Sequence, residues 1–429
     1  MSPAAPAPAA PRYRFVALAV VWCAYLVVFL SRLCVGPLSP FLKDAFDLSN
    51  AQIGGLTSAT AIAYAPTLLL AGWLVDRIGV RLAVIVGSLV TGVFVGLTAL
   101  APSYGVMFLF LVLSGFGCGF IYPSAIKAVM LWFPAQERAT AIGVNQAAVN
   151  VSGMLGAAMM PALALSVGWQ AGFLVAAAMA FAVCAFAALA YHDPRPRPGV
   201  PLPAAQGGAI YEVEQGLPLV TGDEAADRAA VRPGFLAVLR SRDVLLLGLA
   251  AMCLCVVEFS AMAHLVLYLK EDWAYTAVAA AGLLALCQGA GAVGKPVSGL
   301  ISDRLLGRRR RPALLALCGF SALACVVLAL AGPGRYALLA AALVLLGLGA
   351  VGWGGLLGTL AGETAGPAAA GAAAGVTAAL DNIGIFVGPP VFGFIVDRTG
   401  SYAPAWWAMV GASAGAAVLL AFVREPRRS

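Results

Sequence analysis

The apolar runs of this chain are about twenty residues long or longer and follow one another almost end to end, the length a helix needs to cross a hydrocarbon layer ~30 Å thick. Inside such a layer a segment must satisfy its own backbone hydrogen bonds, so each run is read as a helix. Composition agrees: 62% of the 429 residues are hydrophobic and 10% charged, against about 45–50% and 25% in soluble domains. A water-soluble globule is excluded. The nine cysteines all lie in apolar runs, Cys118 and Cys184 among them, and only two histidines occur. This gives neither metal-ligand spacing nor a disulfide framework. No metal or cofactor is expected, and no His, Cys and acid constellation suggests an enzyme.

Punctuation by Gly, Pro and charge places helices near 15–42, 51–75, 82–101, 104–132, 138–164 and 168–191. Residues 1–14 read as a disordered cytoplasmic N-terminus. Arg12 and Arg14 ahead of an apolar stretch resemble a secretory signal, but the stretch continues from Phe15 to about Leu42 without a cleavage site, so a retained first span is expected. Residues 192–242, with PRPRPGVPLP and the acids Asp223, Glu224 and Asp227, read as a cytoplasmic linker. Six further runs follow near 243–269, 274–302, 312–331, 335–361, 369–396 and 402–423, then a tail at 424–429. The expected fold is an all-α membrane protein of twelve transmembrane helices in two pseudo-symmetric six-helix bundles, 15–191 and 243–423.

With both termini cytoplasmic, only Lys43, Lys270, Arg335 and Arg398 of the 26 Lys and Arg residues fall outside, while Arg32, Lys127 and Lys295 fall within helices. The remainder lie inside, as membrane topology demands. The net charge of +7 and the run Arg308 to Arg311 are thereby accounted for, and no nucleic-acid partner is implied. A monomer in the cytoplasmic (plasma) membrane of a bacterium is expected.

The halves repeat one another. GWLVDRIGVR, from Gly72 to Arg81, follows the second span, and GLISDRLLGRR, from Gly299 to Arg309, follows the eighth. Gly143, Asn150 and Gly156 of the fifth span align with Gly375, Asn382 and Gly388 of the eleventh. Six-helix repeats around a central cavity are a transporter architecture. On these two GxxxDR loops the chain resembles the major facilitator superfamily over nearly its whole length. That resemblance implies a secondary transporter whose halves rock about a central site. FLSRLCVGPLSPFLKDAFDLSNAQIG and YPSAIKAVMLWFPAQERATAIG are similar to the anion:cation symporter group, in which an arginine at the position of Arg32 helps to bind substrate; Ser31 stands where that group usually has Asp. KPVSGL, from Lys295, resembles the corresponding stretch of monocarboxylate and oxalate carriers, which commonly have Arg there.

An ionised side chain within lipid costs roughly 2.5–3.5 kcal/mol, so each one needs a partner, a wet cavity or a task. Arg32, Lys127 and Lys295 with Glu258 and Asp381 leave a surplus of one positive charge, which favours an anionic substrate. Arg32 shares a helix face with Tyr25, and its guanidinium matches a carboxylate bidentately; the alternative is a structural ion pair or snorkelling to the interface. Lys295 shares a face with Gln288 and either contacts substrate or pairs with Glu258. Lys127, Asn150 and Asn382 complete the candidate substrate set. Glu258 and Asp381 are candidate proton-coupling acids, or partners in permanent salt bridges. Trp353 either lines the cavity or packs. Gly72, Asp76, Arg77, Gly79, Arg81 and Arg138, with Gly299, Asp303 and Arg304, are expected to form a cytoplasmic latch between the halves. The expected function is alternating-access symport of a small organic anion, a carboxylate, with protons; the alternative is a proton-coupled antiporter exporting drugs or amphiphiles.

Overall fold

A computed structural model describes residues 13–193, 241–307, 309–366 and 369–425. Most of the linker, with its acidic cluster, lies outside the described residues, as do residues 1–12, Arg308 and 426–429. Among the described residues, regular structure is entirely helical.

The first span is two helices, α1 (Tyr13–Leu33) and α2 (Val35–Phe46), with a break at Cys34. The second and third runs, expected as separate helices, form one long α3 (Asn50–Thr98) bent at Gly79, where φ is 84°. A positive φ is inexpensive only for glycine, so the GxxxDRxG loop turns the chain without ending the helix. Ser49 and Gln52 close a capping box at the start of α3, satisfying donors that a helix N-terminus leaves orphaned. Helices α4 (Tyr104–Trp132), α5 (Ala135–Ser166) and α6 (Trp169–Ala190) complete the first half. The second half comprises α7 (Arg242–Glu271), α8 (Ala277–Arg304), α9 (Arg310–Leu330), α10 (Tyr336–Leu346), α11 (Gly354–Ala365), α12 (Ala370–Thr399) and α13 (Ala403–Phe422).

The tenth span departs from the single helix expected over 335–361. Between α10 and α11 the chain makes a π turn, Gly347–Val351, and regular helix is interrupted at Gly352 and Trp353 before α11 begins. Neighbouring backbones press against this stretch: a methyl group on Gly347 would lie 2.1 Å from the Cys287 carbonyl oxygen, and one on Gly349 would lie 2.6 Å from that of Leu317. Single π turns inside α-helices mark functional positions more often than regular helix does. Eleven helices among the described residues are long and apolar enough to span a membrane, and the first limb of α3, richer in Ser, Thr and Gly, supplies the twelfth span.

Alternation of the spans gives the molecule two faces, one carrying both termini and one opposite. At the opposite face a single apolar core runs from Leu30 and Leu42 through Trp273 to Trp406, drawing on both halves. Toward the termini the core divides. One cluster, including Val20, Tyr122 and Tyr191, belongs to the first half, and another, including Leu247, Leu314 and Leu420, belongs almost wholly to the second. Burial of apolar side chains therefore joins the halves at the opposite face.

Candidate functional site

Where the two cores part, a cavity of about 140 Å³ lies between the halves. Its walls bring together Tyr25, Arg32 and Asn150 from the first half with Glu258, Gln288, Lys295, Asp381 and Asn382 from the second. These are eight of the nine substrate and coupling candidates read from the sequence.

Arg32 stands in the last turn of α1, just before the break at Cys34, and is 5% exposed. Its guanidinium carbon lies 4.3 Å from the ring centre of Tyr64 and 5.2 Å from that of Phe29. Aromatic faces stabilise a desolvated cation. No acid among the described residues stands within ion-pair distance of it. The structural ion pair is therefore not formed, and snorkelling is not observed. Tyr25, on the same face, packs beside Phe29 and Tyr122.

Lys295 reaches Asn150 Oδ1 at 3.5 Å and has no acid among the described residues within 4 Å. Glu258 instead accepts a hydrogen bond from Trp353 Nε1 at 3.2 Å, and the same N–H lies 2.9 Å from the Ala350 carbonyl in the π turn. Lys295 and Glu258 nevertheless line the same cavity. On α12, Asn382 Nδ2 donates to Ala378 O at 2.8 Å and to Asp381 Oδ1 at 3.1 Å. Gln288 is buried against Gly153 of α5, where any Cβ would meet its amide at 2.7 Å.

Lys127 does not belong to this group. It extends toward the termini face, where Nζ meets Asp76 Oδ1 at 3.0 Å and Val75 O at 2.9 Å. A lysine stem is long enough to carry the charge away from the hydrocarbon centre, and an acid near the end of the span was there to receive it. The surplus positive charge expected from five groups disappears: the cavity holds two cations and two acids.

Among the described contacts, the groups expected to form a latch at the termini face meet partners within their own half, Arg304 excepted. Asp76 pairs with Lys127, Asp303 with Arg310, and Arg138 donates to the carbonyls of Phe133 and Met130. Arg77 lies over Trp73, Arg81 donates to Ala188 O, and Arg304 is exposed. A Cβ on Gly299 would meet open space, so no close helix approach is made there.

Contacts between the halves occur instead at the opposite face. Asp397 accepts hydrogen bonds from Asn50 N, Asn50 Nδ2 and Ala51 N, each at 2.8 Å, capping the start of α3 from across the interface. Lys43 pairs with Glu271 at 2.7 Å and Lys270 with Asp44 at 3.0 Å. Tyr402 donates to Glu271 at 2.8 Å; burial and that carboxylate push its phenol upward, so it remains a donor. The sequence signal was present: GFIVDRTG, from Gly393 to Gly400, is a third GxxxDR. A further repeat went unread. Asp193 caps the backbone of Val80 and Arg81, as Glu425 caps that of Arg310 and Arg311, and both acids precede a Pro-Arg pair.

The model of the Major Facilitator Superfamily matches residues 21–389. The chain belongs to that superfamily. It is 28% identical over 166 residues to the probable sulfoacetate transporter SauU of Cupriavidus necator, a match spanning 39% of each protein. It is also 28% identical over 186 residues to the hexuronate transporter of Escherichia coli, 42% of each. With the membrane sensor protein UhpC of E. coli it shares 25% identity over 69% of this chain and 66% of that one. The chain thus aligns with well under half the length of the first two relatives. Among solved structures, an inward-facing, unoccupied bacterial homologue of the human lysosomal transporter Spinster superposes with a TM-score of 0.77 over 97% of both chains at 18% identity, a likeness of fold. The superfamily fold makes this a multi-pass membrane protein, and its relatives are named as carriers or a sensor, not as enzymes.

Proposed function

We propose that this protein is a secondary carrier that moves a small organic anion, a carboxylate or a chemically similar acid, across the bacterial inner membrane. One observation carries the reading: Arg32 and Lys295, one from each half, line a single cavity, and among the described residues neither is in ion-pair contact with an acid. A buried cation kept from a salt bridge is held at a cost that binding an anion offsets. The names of the sulfoacetate and hexuronate relatives agree with anionic cargo.

The division of the core supports alternating access as the carrier's way of moving its cargo. The halves separate around the cavity toward the termini, placed here in the cytoplasm, and join at the opposite face through contacts that can break in another state. Glu258 and Asp381 are the groups proposed to take up the coupling proton, in symport with the anion. Glu258 is the better placed of the two, because its hydrogen bond to Trp353 links its charge to the break in the tenth span.

Proteoliposomes loaded with unlabelled anion test this. Labelled carboxylates and sulfonates from a panel are expected to exchange in, and Arg32→Ala to abolish the exchange. No exchange of any anion, with efflux of a cationic dye that persists in Arg32→Ala, would establish the drug antiporter instead. The match to UhpC supports a second reading, a sensor that binds an anion without moving it; binding that raises thermal stability with no counterflow would favour it.

A further inference from the structure

We infer that the cargo carries two acidic groups on a short spacer, one held by Arg32 and the other by Lys295. The inference rests on the anion-carrier reading and narrows it. Four observations lead to it.

The two cations sit on different halves, Arg32 on α1 and Lys295 on α8, and line the same cavity. They also differ in kind. The Arg32 fork, fixed over two aromatic rings, suits a planar carboxylate, whereas the Lys295 ammonium is a point charge that accepts a carboxylate, sulfonate or phosphate equally. A cargo with one acidic group engages one of them and leaves the other to be compensated from a distance.

The charges of the site reinforce this. Glu258 lines the same cavity as Lys295, yet it stands beyond ion-pair reach and is tied to Trp353. When Glu258 takes a proton, Lys295 loses that compensation, and a second acidic group on the cargo restores it. The hydrogen bond that Lys295 makes among the described residues goes to the neutral amide of Asn150, and the second acid of the cavity, Asp381, stands on α12 hydrogen-bonded to Asn382. A cargo gripped at both ends also bridges the halves, which gives loading a direct mechanical consequence that a single contact lacks.

Size sets the spacer. At ~10–15 Å³ of free volume per water, a cavity of about 140 Å³ holds about ten waters, or a molecule of about ten non-hydrogen atoms. Malonate, succinate and sulfoacetate are of that order, while a hexuronate is larger and carries one acidic group.

The test compares matched ligands on the intact purified protein at a pH where all acids are ionised, by thermal shift and by competition in counterflow. Malonate, succinate and sulfoacetate are expected to bind at least about tenfold more tightly than malonamate and succinamate, in which a neutral amide replaces one carboxylate. Adipate and glucuronate are expected to be weak. Lys295→Gln should bring succinate and succinamate to equal affinity while each still depends on Arg32. Equal binding of succinate and succinamate by the unsubstituted protein would overturn the two-acid inference and leave the carrier reading intact. So would an unchanged preference in Lys295→Gln. Failure of every mono- and diacid to bind would overturn the carrier reading itself.

Discussion

Asp397→Asn is expected to loosen the face opposite the termini. In the closed interface the Asp397 carboxylate accepts three hydrogen bonds from the start of α3, each at 2.8 Å, and reaches them from the other half of the molecule. Asparagine keeps one acceptor oxygen, removes the negative charge from a helix N-terminus and turns an amide NH2 toward backbone N–H groups. Hydrogen bonds to a charged group contribute about 1.5–3 kcal/mol and charge at a helix N-terminus about 0.3–1 kcal/mol. Asp397 is solvent-exposed, so water recovers much of the loss. A net cost of about 1–2 kcal/mol to the closed state remains, which shifts the closed-to-open ratio about five- to thirty-fold. Cys255 reports it, since its thiol lines the cavity and is buried in the closed molecule. A membrane-impermeant thiol reagent, applied to the side opposite the termini, should label Cys255 faster in Asp397→Asn by that factor, with Cys255→Ser as the background. Asp397→Glu, which keeps the charge, should fall between. An unchanged labelling rate in folded Asp397→Asn protein would refute the idea that this cap holds the face shut.

Gly393→Ala tests the same contact sterically: its Cβ would fall 2.2 Å from the Asn50 carbonyl oxygen, a backbone atom, so the closed face should lose about 1–3 kcal/mol and Cys255 labelling should rise. Arg32→Lys keeps the charge but not the fork, and uptake should drop by about tenfold or more, read as a rise in the half-saturating anion concentration; full activity would exclude bidentate recognition. Glu258→Gln should retain anion exchange between equal pools and lose accumulation driven by a pH gradient. Preserved accumulation would transfer the coupling role to Asp381.

Much of the site was legible because a lipid environment makes polar residues conspicuous. Arg32, Lys295, Glu258 and Asp381 stand out in apolar runs, and the pairs that seven-residue spacing put on one face, Tyr25 with Arg32 and Gln288 with Lys295, line the cavity. Lys127 was just as conspicuous, and its side chain turned elsewhere. Spacing along a helix specifies which face a residue occupies; it does not specify where a four-carbon stem ends or which acid waits on another helix. The third GxxxDR was open to view, yet its meaning depends on Asp397 meeting Asn50, 347 residues away in sequence.

The sequence by itself determined the number of spans and the class of fold, because segment length and apolarity follow from the thickness of the hydrocarbon layer and the need to satisfy every backbone group locally. Tertiary structure alone decided the breaks at Cys34 and Gly347–Val351, the destination of Lys127, and which face joins the two halves. These depend on contacts between helices distant in the chain, where glycine lets backbones touch and each charge settles with the nearest group that can satisfy it.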